Sequence, residues 1–127
     1  MWKARPRPTL AARLAAPETT ADDLAAMRAA NEAFIQALDA NDAVAALAAD
    51  DRFHAVAVHR CGDSAIEATI GRFTPVVRRL EHQRFASPAA RHSVARHQQI
   101  IETCEQRDGP LAARRVDEAW CTLLREL

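Results

Sequence analysis

Asp42-Ala-Val-Ala-Ala-Leu47-Ala-Ala-Asp50-Asp51-Arg52-Phe53-His54-Ala-Val-Ala-Val-His59-Arg60 is the stretch on which the fold turns. It is rich in alanine, which loses no side-chain entropy on entering a helix. Asn41-Asp42 supplies a break and a new cap just before it. At about 100° per residue, Ala43, Leu47, Asp50, His54, Ala57 and Cys61 fall on one narrow face, with Phe53 beside it. Asp50 and His54 are therefore expected to point inward, and Asp51 toward the edge of that face. A lone buried carboxylate is costly unless something pairs with it. The helix thus carries a fold signal and a chemical one together.

Outward from this helix the chain keeps the same character. Residues 1–8 hold two prolines and three basic residues and read as a disordered tail. A short helix over about 9–16 is expected to stop at Pro17. Thr20-Ala-Asp-Asp23 resembles a capping box, with aspartate in the glutamate position. Leu24, Met27, Phe34, Ile35 and Leu38 then recur at helical spacing. On the other side, Cys61-Gly62-Asp63-Ser64 reads as a turn, with Gly62 where a left-handed cap would sit. A fourth helix carries Ile66, Ile70, Phe73, Val77 and Leu80, and Pro75 inside it should kink or split it. A loop at Ser87-Pro88 precedes a fifth helix over about 89–106. Asp108-Gly109-Pro110 ends that helix and opens the last, with Pro110 suited to a first turn. No persuasive strand, repeat or phosphate-binding glycine loop interrupts the pattern. The reading is all-α: an antiparallel bundle of about six helices, with one ligand-binding helical domain over 9–127.

Composition narrows the function classes. The 127 residues suffice for one domain with a real core, and 49% hydrophobic content excludes a disordered chain. Three glycines and no tyrosine favour helix over sheet. Lys+Arg and Asp+Glu both number 17, a formal charge of zero. An autonomous nucleic-acid binder needs clustered positive charge, so no direct nucleic-acid binding by this chain is expected. Cys61, Cys104 and Cys121 form no C-x-x-C pair and fit a reduced, cytoplasmic protein. No apolar run reaches membrane-spanning length, and no signal-peptide core follows the amino terminus.

The fifth helix repeats the pattern of polar residues on an apolar stripe. Ala90, Val94, His97, Ile101 and Cys104 share a face, whereas His92 lies opposite. His59, His82 and His92 read as surface residues. Asp50 and His54, one turn apart, can reach a single ion, and His97 from a facing helix is a natural third ligand. Such a donor set suits a borderline divalent metal: zinc, nickel or manganese. The plainer alternative is a hydrogen-bonded Asp–His pair without metal, a common arrangement at this spacing.

Asp50-Asp-Arg-Phe53-His54 resembles the D-x-x-F-H motif of the FCD domain, the C-terminal sensor domain of the FadR branch of GntR-family transcription regulators. Leu14-Ala15-Ala16 and Thr20-Ala-Asp-Asp-Leu24 resemble the opening of that domain. Cys61-Gly62-Asp63 sits where the family tends to have a small residue, glycine and asparagine. His97-Gln-Gln-Ile100-Ile101, then Asp108 and Ala112, resembles the H-x-x-I-(I/L)…D-x-x-x-A segment. The likeness spans about residues 9–124 and rests on the order and spacing of these pieces.

The resemblance implies an antiparallel bundle whose interior takes a small organic acid. In many members a metal held by one aspartate and three histidines grips the effector's carboxylate. Asp50, His54 and His97 match three of these ligands. The fourth should fall near Ala119, on a final-helix stripe of Ala112, Val116, Ala119 and Leu123. Water or the effector fills that gap, or the metal is weak or absent. Arg96 stands where the family usually has an acidic residue, and near a pocket mouth an arginine is a candidate effector-binding group; the other reading leaves it solvated. A homodimer is expected from the family. About eight residues precede the first expected helix, too few for the family's winged helix-turn-helix.

The sequence-based expectation is a non-enzymatic effector-binding and dimerisation domain that senses a small carboxylate, with or without a divalent metal. Two other classes compete: a degenerate association bundle without metal, and a metal-dependent hydrolase. The latter lacks a convincing base or nucleophile beside the site.

Overall fold

The computed structural model describes residues 15–60, 62, 68, 72, 75, 79 and 81–125, with 119–125 described through their helical backbone. Among these residues all regular structure is helical. It comprises α1 (Ala21–Asp39), α2 (Ala43–Arg60), α3 (Arg91–Glu105) and α4 (Gly109–Arg125), with 3₁₀ turns at Ala16–Glu18 and Pro88–Ala90. Residues 81–85 are helical as well. The all-α reading holds.

Local chemistry sets each boundary. Thr20 Oγ1 accepts from the Asp23 amide at 3.1 Å, and Asp23 Oδ2 accepts from the Thr20 amide at 3.0 Å, which is the expected capping box. Asp22 and Asp23 also place negative charge at the positive end of the α1 dipole. Asn41 at φ 55° breaks the helix, and Asp42 Oδ1 caps α2 by accepting from the Ala45 amide at 3.0 Å. Gly62 at φ 70° follows α2 in the left-handed region, as anticipated. Arg107 at φ 58° ends α3, and Asp108 Oδ1 caps α4 through the Leu111 amide at 2.9 Å. Pro110 occupies the first turn, where its missing N–H is harmless.

Three expectations are refined or revised, or fall elsewhere. Ala15 is α-helical and the chain then tightens into the 3₁₀ turn Ala16–Glu18, so the helix gives way at Pro17, which sits in a first-turn position that tolerates it. Residues 9–14 of the expected first helix lie outside the described residues, as do Ile66, Ile70, Phe73, Val77 and Leu80 of the fourth; Pro75 itself is helical and exposed, and its immediate neighbours, on which the expected kink depends, lie outside them too. Finally, the buried line of α2 is Ala46, Ala49, Asp50 and Phe53, while Ala43, Leu47, His54 and Ala57 are only partly buried. The helix is turned relative to the expected face. Phe53, its bulkiest apolar side chain, takes the centre, and the small Ala46 and Ala49 let α1 approach closely.

Three ion pairs fix the helix directions. Arg60, at the end of α2, grips Asp23 at the start of α1 with two nitrogens, 2.6 and 3.1 Å from the carboxylate oxygens. Arg28 pairs with Glu105, and Arg91 with Asp39, so α3 also runs antiparallel to α1. The core forms two clusters. One gathers Met27, Phe53, Ile100, Ile101 and Val116; the other gathers Phe34, Leu38 and Phe85 against alanines. Each fully buried large side chain contributes about 1.5–3 kcal/mol. The polar site lies at the seam between them.

Candidate metal centre

His97 projects from α3 into that seam and contacts both clusters. Its ring stacks on Phe53, with centroids 4.1 Å apart and planes at 21°, and meets Phe34 edge-on at 5.0 Å. Its Nε2 lies 2.8 Å from Asp50 Oδ1. The same oxygen is 3.2 Å from Nε2 of His54, one turn further along α2. The Asp50 oxygen and the two imidazole nitrogens all lie within 4.8 Å of one another. The structure therefore gathers Asp50, His54 and His97 into one cluster. Asp50 and His97 are buried, whereas the His54 side chain keeps 43% of its exposure.

Burial and charge act on these groups in opposite directions. Burial raises the Asp50 carboxyl, but the neighbouring His54 charge, with hydrogen bonds from His54 and His97, holds it well below its ordinary value. Burial disfavours the His54 imidazolium, yet Asp50 outweighs it and raises that pKa. For His97, burial dominates and the pKa falls, despite the hydrogen bond to Asp50.

Two participants escaped the sequence reading. Asn31, buried on α1, places Oδ1 2.9 Å from His97 Nδ1, while its Nδ2 donates to the Val94 carbonyl at 3.5 Å. It sits one turn before Ile35 and four residues after Met27, so a polar residue on an apolar stripe was its available signal. Glu81, half-buried on the helical residues 81–85, hydrogen-bonds Asp50. Burial first, and then the Asp50 charge, push its carboxyl up to about 10; the Arg84 charge opposes this more weakly. Its signal was the four-residue step from Val77, which continues the apolar stripe of that segment.

The amide orientation of Asn31 has a chemical consequence. Its oxygen accepts from His97 Nδ1–H, so a neutral His97 directs the Nε2 lone pair at Asp50 Oδ1. Two acceptors 2.8 Å apart call for a positive charge between them, either a proton on Nε2 or a metal ion. Tetrahedral ligation at about 2.0–2.2 Å separates donor atoms by about 3.3 Å, close to the Asp50–His54 spacing. The donors present thus fit a divalent cation, and Asn31 orients the His97 ring as a hydrogen-bonding partner behind a metal ligand does.

The remaining site candidates fall elsewhere. Arg96 lines a cleft of about 320 Å³ between α3 and α4, with His92, Gln99, Arg115 and Glu118, and donates to the Glu118 carbonyl at 3.2 Å. Ala119 lies on α4, but its side chain is outside the described ones. His59, His82 and His92 are exposed. Cys104 is a buried free thiol, and burial raises its pKa. No helix among the described residues is long and apolar enough to cross a membrane.

Comparison with known proteins agrees with the motif order and the helical fold. No curated protein and no solved structure matches the chain. The FCD domain matches residues 9–122, nearly the whole length. The chain belongs to the FCD domain family, the C-terminal effector-binding domain of GntR-family transcription regulators.

Proposed function

We propose that this domain senses a small carboxylate metabolite through a divalent cation held by Asp50, His54 and His97. The observation that carries the reading is the convergence of these three donors on one oxygen-centred cluster within 4.8 Å. The opposed acceptors of His97 and Asp50 support it. A bound cation would act as a Lewis acid toward the effector's carboxylate; zinc, nickel and manganese all accept this mixed donor set. Asp50 supplies the anionic donor. His97 is oriented by Asn31 and Phe53, and the half-exposed His54 stands on the solvent side of Asp50.

Arg96 enters the proposal as an effector-binding residue. With Arg115 it lines the α3–α4 cleft, where guanidinium groups suit an anionic ligand. The domain would work as a cytoplasmic homodimer, in which effector binding shifts helix packing and so reaches a DNA-reading partner domain.

Thermal-shift screening of small carboxylates, with and without each divalent metal, tests this reading. A cognate acid at one hundred times its Kd stabilises by about 2.7 kcal/mol, several degrees in Tm. The stabilisation should require metal and should diminish in Arg96→Ala. A broad panel with no metal-dependent shift overturns the reading. In the competing interpretation a proton on His97 Nε2 relieves the clash with Asp50, and the cluster is a structural ion pair in an association bundle.

A further inference from the structure

We infer that the cleft between α3 and α4 is a second ligand site, which takes a phosphate group through Arg96 and Arg115 without a metal ion. The assignment rests on the anion-binding reading of Arg96 above and gives that cleft a ligand class of its own. The cleft lies on a separate side of α3. At about 100° per residue, Ala95 and Gln99 of its lining stand about 160° from His97, turned away from the Asp50–His54–His97 cluster. A ligand here is therefore a different molecule from one whose carboxylate sits on the cation. The volume, about 320 Å³, is at the small end of ligand pockets and suits a small anion. Arg96 and His97 are neighbours on α3, so occupancy of the cleft bears on the metal centre through that helix.

An unmet donor marks the site. Arg115 Nε is buried and has no hydrogen-bond partner among the described residues. A buried N–H without an acceptor is costly, so an oxygen is called for at that point. Glu118 does not supply it: its Oε2 lies 3.9 Å from Nη1, away from the Nε–Nη2 edge, and most of that side chain is in solvent. The Nε–Nη2 edge is the fork with which arginine grips two oxygens of a phosphate or carboxylate. Arg96 reaches across from α3 and donates through Nη1 to the Glu118 carbonyl at 3.2 Å, which brings a second guanidinium to the same cleft. His92 and Gln99 add N–H donors to the lining. A carboxylate presents two oxygens in one plane and a single charge. A phosphate presents oxygens in several directions and carries up to two charges, which suits donors from two helices and a pair of guanidinium groups.

The test is calorimetric titration of the full chain, stripped with chelator, with inorganic phosphate, glycerol phosphate and acetate, at an ionic strength fixed by sodium chloride. Saturable binding of either phosphate at one site per chain, tighter than acetate, is expected; tighter binding of the ester points to an esterified ligand. Arg115→Lys keeps the charge but lacks the fork, and circular dichroism should show it folded. Its phosphate affinity should fall about tenfold or more, because a hydrogen bond to a charged group contributes at least that factor. Arg96→Ala should weaken binding similarly, whereas His54→Ala, on the other side of α3, should leave it unchanged. No phosphate binding by the unmodified chain, acetate bound equally well, or full affinity in Arg115→Lys overturns the assignment. So does phosphate binding that appears only with added zinc and disappears in His54→Ala. Each of these results leaves the Asp50–His54–His97 reading standing, and failure of that reading leaves the metal-free titration unaffected.

Discussion

The imidazole of His97 lies nearly flat on the phenyl ring of Phe53, 4.1 Å away, while its two nitrogens face Asn31 and Asp50. The stacking fixes the ring plane, and the two polar contacts fix its rotation. Phe53 is therefore both a core residue and the wall that aims a ligand. Phe53→Ala should cost about 3–5 kcal/mol in urea denaturation. Phe53→Leu keeps more of the apolar volume and should cost less, about 1.5 kcal/mol, yet weaken metal binding by removing the flat support. Equal metal affinity in Phe53→Leu and the unmodified chain would show that the stack does not aim the ring.

Asn31 offers a cleaner separation, because it reaches the site only through His97. Asn31→Ala leaves His97 Nδ1 without its acceptor and should destabilise the fold by about 1–2 kcal/mol. It should also reduce zinc affinity about tenfold, as loss of an orienting partner does. Competition titration checks this. Unaltered affinity would mean that the ring is held without the amide.

Glu81 gives the metal-free chain a pH signature. Its folded pKa is raised, to about 10 from 4.5, so the folded state binds the extra proton. The associated stability is fully present below about 4.5 and is lost as pH rises toward about 10. Glu81→Gln should flatten this decline in chelator-treated protein, measured as the urea midpoint against pH. A decline of the same slope in Glu81→Gln would place its origin in other groups.

Asp23 acts at the acidic end and with the opposite sign. The Arg60 hydrogen bond, helped by Thr20, lowers its pKa to about 2 against the opposing effect of burial. Its contribution is present above about 4 and is lost as pH falls toward 2. Arg60 is partly solvated, which weakens the pair, so most of the effect of Asp23→Ala is loss of the hydrogen bond that Asp23 accepts from the Thr20 amide in the capping box, about 1 kcal/mol. The difference between this variant and the unmodified chain should shrink as pH drops through that window. A difference independent of pH would remove the ion pair from the explanation.

The turn and cap chemistry is legible in the amino-acid sequence, because it depends on residues three or four apart: Thr20 with Asp23, Asp42 with Ala45, Asp108 with Leu111. Asp50 and His97 are legible too, as polar residues on otherwise apolar stripes. The rotation of α2 is not. In a helix with this much alanine the apolar periodicity is nearly flat, and tertiary contact around Phe53 decides which face turns inward. Asn31 and Glu81 depend on how three separate segments meet, so spacing along the chain offers only a local hint of each. The placement of Arg96 in the α3–α4 cleft likewise follows from a one-residue offset, about 100°, from His97.

The central claim is that Asp50, His54 and His97 hold a divalent ion. It is tested most directly by elemental analysis of the purified chain after equilibration with limiting zinc, nickel or manganese and removal of unbound metal. We expect one ion per chain, falling to background in both His54→Ala and His97→Ala while the helical circular dichroism persists. Absence of stoichiometric metal from the unmodified chain, or its full retention in those variants, would contradict the claim and leave the cluster as an Asp–His ion pair.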